Sequence, residues 1–188
     1  MILEKIMRIQ LALCGLSLIA TSALAGEGWK VLPVTDAGYK PDVTLSAIVG
    51  SMDPKNADSN AFTGAEVAFN CLMLQPPSGV IRSKISVGQY DHGGLKLTSF
   101  EVNPRWTFII DKDLSVGFGP GIGYVEAKAA GQSKGMWAAQ VGADLDYRIG
   151  KLNLGLAARW QGTQDSQIAI GYKGADNTLI EAKIGFNF

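Results

Sequence analysis

Cysteine is nearly absent from this chain: two occur in 188 residues, Cys14 and Cys71. Cys14 lies in a segment expected to be removed, so the mature chain keeps one thiol and no internal disulfide, which excludes a small oxidised scaffold. Charge is also scarce. Asp, Glu, Lys and Arg make up 18% of the residues, the formal net charge is zero, and like charges never form a block, whereas ordinary soluble proteins carry about 25% charged residues. Nucleic acid is therefore not expected as a partner, since binding it takes a concentrated basic surface. Beyond the first 25 residues no apolar run reaches the ~20 residues of a membrane-spanning helix. His92 is the only histidine. What the chain does have is glycine, 23 residues of it, and a long regular alternation of apolar and polar side chains.

The first residues read as a targeting segment. Lys5 and Arg8 precede an apolar run from Ile9 to Leu24, and Ala23-Leu24-Ala25 supplies a small-x-small cleavage pattern. Residues 1–25 are expected to be a signal peptide cleaved before Gly26, with translation starting at Met1 or Met7. A lipoprotein leader would need a small residue before Cys14, where Leu13 stands. Residues 26–42 contain Trp29, Pro33, Gly38 and Pro41, show no period, and are read as an irregular lead-in.

From residue 43 onward the side chains alternate in twos, as a strand with one apolar and one polar face requires. Eight such segments cover about 43–50, 62–74, 80–90, 97–110, 114–125, 136–149, 152–161 and 178–188. The last is the clearest: Thr178, Ile180, Ala182, Ile184, Phe186 and Phe188 fall on one face, and Leu179, Glu181, Lys183, Gly185 and Asn187 on the other. Connections at 51–61, 89–95, 126–135 and 163–177 are mostly long and polar, whereas 75–79, 111–113 and 150–151 are short. Eight strands, long connections on one side and both termini on the other fit an antiparallel up-and-down transmembrane barrel with periplasmic termini.

Charge and volume both say which face points inward. One face carries Glu66, Arg82, Lys84, Glu101, Arg105, Asp144, Asp146, Arg148, Arg159, Glu181 and Lys183, five acidic and six basic; the other has no charge until Lys96, above the expected membrane. An eight-stranded barrel is just wide enough inside for side chains to fill it. Trp106, Phe108, Trp137, Tyr147, Trp160, Phe186 and Phe188 on the apolar face are too bulky for that space, while the glycine- and alanine-rich face fits. Tyr124, Trp137 and Trp160 would form an outer aromatic belt, and Trp106, Phe108, Tyr147, Phe186 and Phe188 an inner one. Buried charges must be paired, so the lumen is expected to hold an ion-pair network that plugs it. Hairpin registry predicts Arg159 level with Glu181, Lys84 near Glu101, and Arg105 facing the glycines of the fifth strand. Pro104 and Pro120 interrupt central strands and leave room for a bulge at either.

On this pattern, and on Ile184-Gly-Phe-Asn-Phe188, the chain resembles the small bacterial outer-membrane β-barrels of the OmpA transmembrane-domain and OmpX type, over residues 43–188. The resemblance implies an outer-membrane location, lipid and lipopolysaccharide as surroundings, and recognition of Ile184, Phe186 and Phe188 by the barrel-insertion machinery. It names no extracellular partner and implies no cofactor. Two lipid A-modifying enzyme families share the architecture, but the deacylase spacing of a His and a Ser two apart is absent, and neighbouring Asp91 and His92 would point opposite ways on a strand. Asp144 and Asp146 share a face, yet have Arg148 and Lys183 as partners and no His or Cys beside them, so no metal site is expected. The expected role is non-enzymatic, in envelope structure or surface contacts; OmpW-like passage of small apolar molecules is the alternative, favoured by an apolar upper lumen or an opening in the wall.

Overall fold

The computed structural model describes residues 28–55, 57–164, 167–169 and 172–188. The expected signal peptide and its cleavage site lie outside the described residues. Eight antiparallel strands form a closed barrel: β1 Thr44–Pro54, β2 Asn60–Asn70, β3 Val80–His92, β4 Leu95–Ile109, β5 Leu114–Ala129, β6 Gln132–Ile149, β7 Leu152–Thr163 and β8 Asn177–Asn187. Each strand pairs with its neighbours in the chain, and β8 closes on β1 with Ile184 opposite Ala47 and Phe186 opposite Leu45. Closure leaves no free sheet edge, so every strand has partners on both sides.

The period-two pattern decides which side chains face out. Val49, Val87, Phe100, Ile122, Val141, Leu156, Ile180 and Ile184 are exposed on the outer surface, while Glu66, Lys84, Glu101, Arg105, Asp144 and Lys183 are buried inside. Trp137 and Tyr147, one at each end of the outer face of β6, are ten residues apart. At about 3.3 Å per residue and a tilt of ~40° that is roughly 25 Å along the axis, the height of the apolar band of outer-membrane barrels. Among the described residues no outward position between these aromatic levels is charged.

Two expected loops are strand instead. The hairpins β3–β4 and β5–β6 continue to His92↔Leu95 and Ala129↔Gln132, leaving only Gly93–Gly94 and Ala130–Gly131 as turns. Both residues of each turn have positive φ, as tight hairpins of right-twisted strands require. The strands β3 to β6 have 13, 15, 16 and 18 residues, more than the ~9–11 needed to span a bilayer. Their excess stands above the outer aromatic level as a taller wall, carrying Asp91, Lys96, Glu126 and Lys128 outside.

At the inner end the expectations change twice. Strand β2 stops at Asn70 rather than 74, because the Asn70 N–H donates to the Pro41 carbonyl and leaves the ladder. The lead-in is not wholly irregular: Lys30–Val31 pairs with Leu74–Gln75, and a short 3-10 turn, Pro33–Thr35, follows.

Candidate functional site: the barrel lumen

The lumen has two tiers. The lower and middle tier is ionic. Lys84 Nζ sits 2.8 Å from Asp144 Oδ1 and 2.9 Å from Asp146 Oδ2. Arg105 Nε is 3.2 Å from Asp144 Oδ2, and its Nη1 donates to the carbonyls of Gly119 and Pro120 at 2.8 and 3.1 Å. Lys183 Nζ lies 3.1 Å from Glu66 Oε1 and 4.0 Å from Glu181 Oε1. Arg159 Nη2 is 2.8 Å from Glu101 Oε1, while its Nη1 donates to Asn177 Oδ1 at 3.0 Å and to Gln161. Glu101 Oε2 accepts from Asn103 and Gln140, and Asp146 Oδ1 accepts from Asn153.

These pairs are spokes rather than rungs. Lys84 on β3 meets Asp144 and Asp146 on β6, Arg159 on β7 meets Glu101 on β4, and Lys183 on β8 meets Glu66 on β2. Hairpin registry therefore misplaces Arg159 and, though it sets Lys84 diagonal to Glu101, misses the partners of Lys84. Arg159 lies opposite Leu179, with Glu181 opposite Ala157, and Lys84 lies opposite Asn103 but forms its ion pairs across the lumen. Arg105 does face the glycines of β5. Small residues make these crossings possible: a Cβ on Gly117 would sit 2.7 Å from Asp144 Oδ1, and one on Gly155 would sit 2.7 Å from Asp146 Oδ1.

The remaining two cations of the expected set, Arg82 and Arg148, sit at the inner mouth and share a carboxylate absent from that set. Asp42 Oδ2 is 2.5 Å from Arg82 Nη1 and 2.8 Å from Arg148 Nη2, and Asp42 Oδ1 accepts from Arg148 Nη1 at 3.0 Å. Arg82 also donates to the Asp42 carbonyl, Thr44 Oγ1 and Asn70 Oδ1. Asp42 adopts φ +48°, a left-handed conformation that turns the lead-in across the mouth. Partial burial opposes its ionisation, but Arg148 and Arg82 outweigh that and hold its carboxyl below the usual carboxylate range. With Asp42 included, six acidic and six basic groups balance. The surplus cation in the strand pattern was the signal that a carboxylate outside the strands was needed.

The upper tier is apolar, which the charge pattern did not disclose. Met52, Phe62, Tyr90, Leu97, Val125, Met136 and Leu179 pack together at the outer end, with Ile168 of the last outer loop buried against them. Tyr90 is 0% exposed, and its hydroxyl donates to the Asp58 carbonyl at 2.6 Å. Between the tiers remains a cavity of about 20 Å³ lined by Phe62, Glu101, Arg159 and Leu179, room for about one water. A wider vestibule of about 240 Å³ lies at the inner mouth beside Asp42, Arg82 and Arg148.

No bulge forms at the prolines. The β4–β5 register is the same on both sides of a three-pair interruption, which places Pro104 opposite Pro120. Neither has an N–H to give the ladder, and Arg105 takes up the carbonyls of Gly119 and Pro120.

No protein-family model matches the chain, and no curated protein matches its sequence. Solved structures do. The N-terminal β-barrel domain of Pseudomonas aeruginosa OprF superposes with a TM-score of 0.53 at 13% identity, covering 79% of this chain and 100% of that one. Ail, the attachment invasion locus protein of Yersinia pestis, gives 0.52 at 11% identity, over 78% and 97%. Neisserial surface protein A gives 0.51 at 11% identity, over 78% and 96%. The chain has the fold of the small eight-stranded outer-membrane barrels. At such identities the likeness reaches the fold and stops there. Ile184 and Phe186 point outward along β8 and Phe188 follows its last residue; all three are exposed. His92 is exposed at the end of β3, and among the described residues no cluster of His, Cys, Asp and Glu has metal-binding geometry.

Proposed function

We propose that this barrel resides in the bacterial outer membrane, is closed to passage, and serves the envelope without catalysis, through its own stability and the taller β3–β6 wall it presents outside. The observation that carries the reading is the filled lumen: paired charges below, packed apolar side chains above, and about 20 Å³ between them. The uncharged 25 Å outer band supports residence in a bilayer, where an exposed apolar surface of this extent costs nothing to keep. Lipid and lipopolysaccharide are then its surroundings, and Ile184, Phe186 and Phe188 the segment offered to the insertion machinery.

One feature favours the alternative of apolar passage, namely the apolar upper tier itself. Against it, that tier is packed, and Arg105 fills the interruption between β4 and β5. A lipid A-modifying role would draw on the exposed His92, which among the described residues has no hydrogen bond to a nucleophile or a carboxylate.

Cell fractionation with heat-modifiable gel mobility tests residence; recovery of the protein from the soluble periplasm overturns it. Planar-bilayer recordings test closure. A large, stable open state contradicts the filled lumen, whereas brief, small events at most are expected.

A further inference from the structure

The inner end of the barrel carries a second apolar surface that the lumen and outer band do not account for. The segment 29–35 and the connection 71–79 fold together beside β2 and β3. Their backbone groups are closed on one another: Lys30–Val31 pairs with Leu74–Gln75, Leu32 N–H donates to the Met73 carbonyl, and Val34 N–H to the Leu72 carbonyl. Pro33 and Pro76 are buried, while Val31, Leu32, Val34, Leu72 and Met73 are exposed, Val31 by 64% and Met73 by 69%.

Two observations identify what such a surface meets. First, it is continuous with the inner aromatic belt. Trp29 packs on the outward-facing Trp106 at 6.3 Å between ring centroids, Trp106 stacks on Phe108 at 5.3 Å, and Trp106 Nε1 donates to the Ser78 carbonyl of the connection. Secondly, the connection leaves the barrel at the level of that belt, since Ile81 and Val80 lie opposite Trp106 and Thr107. A segment at the bilayer interface must have its backbone hydrogen bonds satisfied internally, present apolar side chains, and keep charges at its margin. This one closes its backbone internally and presents apolar side chains, and its charges are the exposed Lys30, 3.8 Å from Asp36, and Lys40 beyond its end.

We propose that residues 29–35 and 71–79 form a foot that lies on the inner leaflet of the membrane, with Val31, Leu32, Val34, Leu72 and Met73 in the phospholipid acyl boundary. The foot extends the lipid-contacting surface sideways beneath β2–β4 and fixes the barrel's depth and tilt. It rests on the reading that the barrel spans a membrane. The partner is phospholipid rather than a second copy or a soluble protein, because the patch is an extension of the lipid-facing belt.

The test uses the full-length protein in a Cys14→Ser, Cys71→Ser background, reconstituted in phosphatidylethanolamine–phosphatidylglycerol vesicles. Nitroxides are attached at Val31→Cys and Met73→Cys, with Leu156→Cys in the outer band and Lys112→Cys on an inner turn as references. The foot labels are expected to collide more with oxygen than with a water-soluble nickel chelate, as Leu156→Cys does and Lys112→Cys does not. If 31 and 73 behave like 112 while 156 stays in lipid, the foot is overturned and the membrane reading stands. If 156 is itself accessible to nickel, the membrane reading fails and takes the foot with it. Labels at 31 and 73 shielded from both reagents mean a protein cover, which also overturns the proposal. Leu72→Cys replaces any variant that loses heat-modifiable mobility.

Discussion

Lys84 shows what a single buried cation does in this lumen. Its ammonium is shared between Asp144 and Asp146, so removing it leaves two carboxylates short of their counter-charge. Breaking a buried pair from one side costs about 3–5 kcal/mol, because the remaining charge stays desolvated. Lys84→Met is therefore expected to lower the free energy of unfolding, measured by urea titration in micelles, by an amount in that range; a change within error would mean that water already reaches the pair. Asp42 allows a different measurement. Its carboxyl titrates below the usual range, so its stabilising contribution is complete above about pH 3.8 and is lost as pH falls through the lower native value. Acid in that window should loosen the inner mouth, read as faster hydrogen exchange at Asn70 and Arg82. Asp42→Asn should show the loosened state at neutral pH and no further change on acidification in that window.

Among the elements, the strands were the most legible part of the chain and their ends the least. Alternation marks residues such as Val141, Leu145 and Tyr147 unmistakably, because one face is apolar throughout the band between the aromatic levels. Beyond the outer aromatic level that pattern lapses. Glu126, Ala127, Lys128 and Ala129 still alternate, but with small and charged residues that read as a loop, although Ala130–Gly131 is a hairpin turn. The upper tier was hidden for a related reason. Phe62, Tyr90, Leu97 and Leu179 share the phase of the lumen charges and are apolar, so a rule assigning polarity to one face has no place for them. The spokes were invisible because strand registry speaks only of neighbours, whereas these pairs cross the barrel. Cutting the β5–β6 hairpin back to Val125 and Met136 removes Ala127 and Ala129 from the upper tier while sparing the ionic tier. Such a variant should still show heat-modifiable mobility but melt at lower temperature; complete failure to fold would mean that the overhang is needed to close the barrel. At the other end of the chain, Phe186→Ala together with Phe188→Ala should slow assembly into the outer membrane in pulse-chase far more than refolding into detergent.

Between its two aromatic levels the molecule keeps its charge inside and balanced, and exposes its apolar surface. Salt screens exposed pairs at a Debye length of ~8–10 Å but reaches buried ones much less. The thermal midpoint in a non-ionic detergent should thus change little with added sodium chloride; a steep dependence would place the ion pairs in contact with solvent. The spokes also constrain the order in which the chain can assemble. Lys183 on β8 finds Glu66 on β2, and Arg159 on β7 finds Glu101 on β4. None of these pairs exists in a single hairpin. In the bilayer proposed above, a sheet still open would present its cations and carboxylates to the hydrocarbon without partners, so late hairpins cannot be added one at a time to a half-built wall already inserted. On that reading insertion and closure coincide, with the last strand sealing the seam and neutralising the interior in the same event.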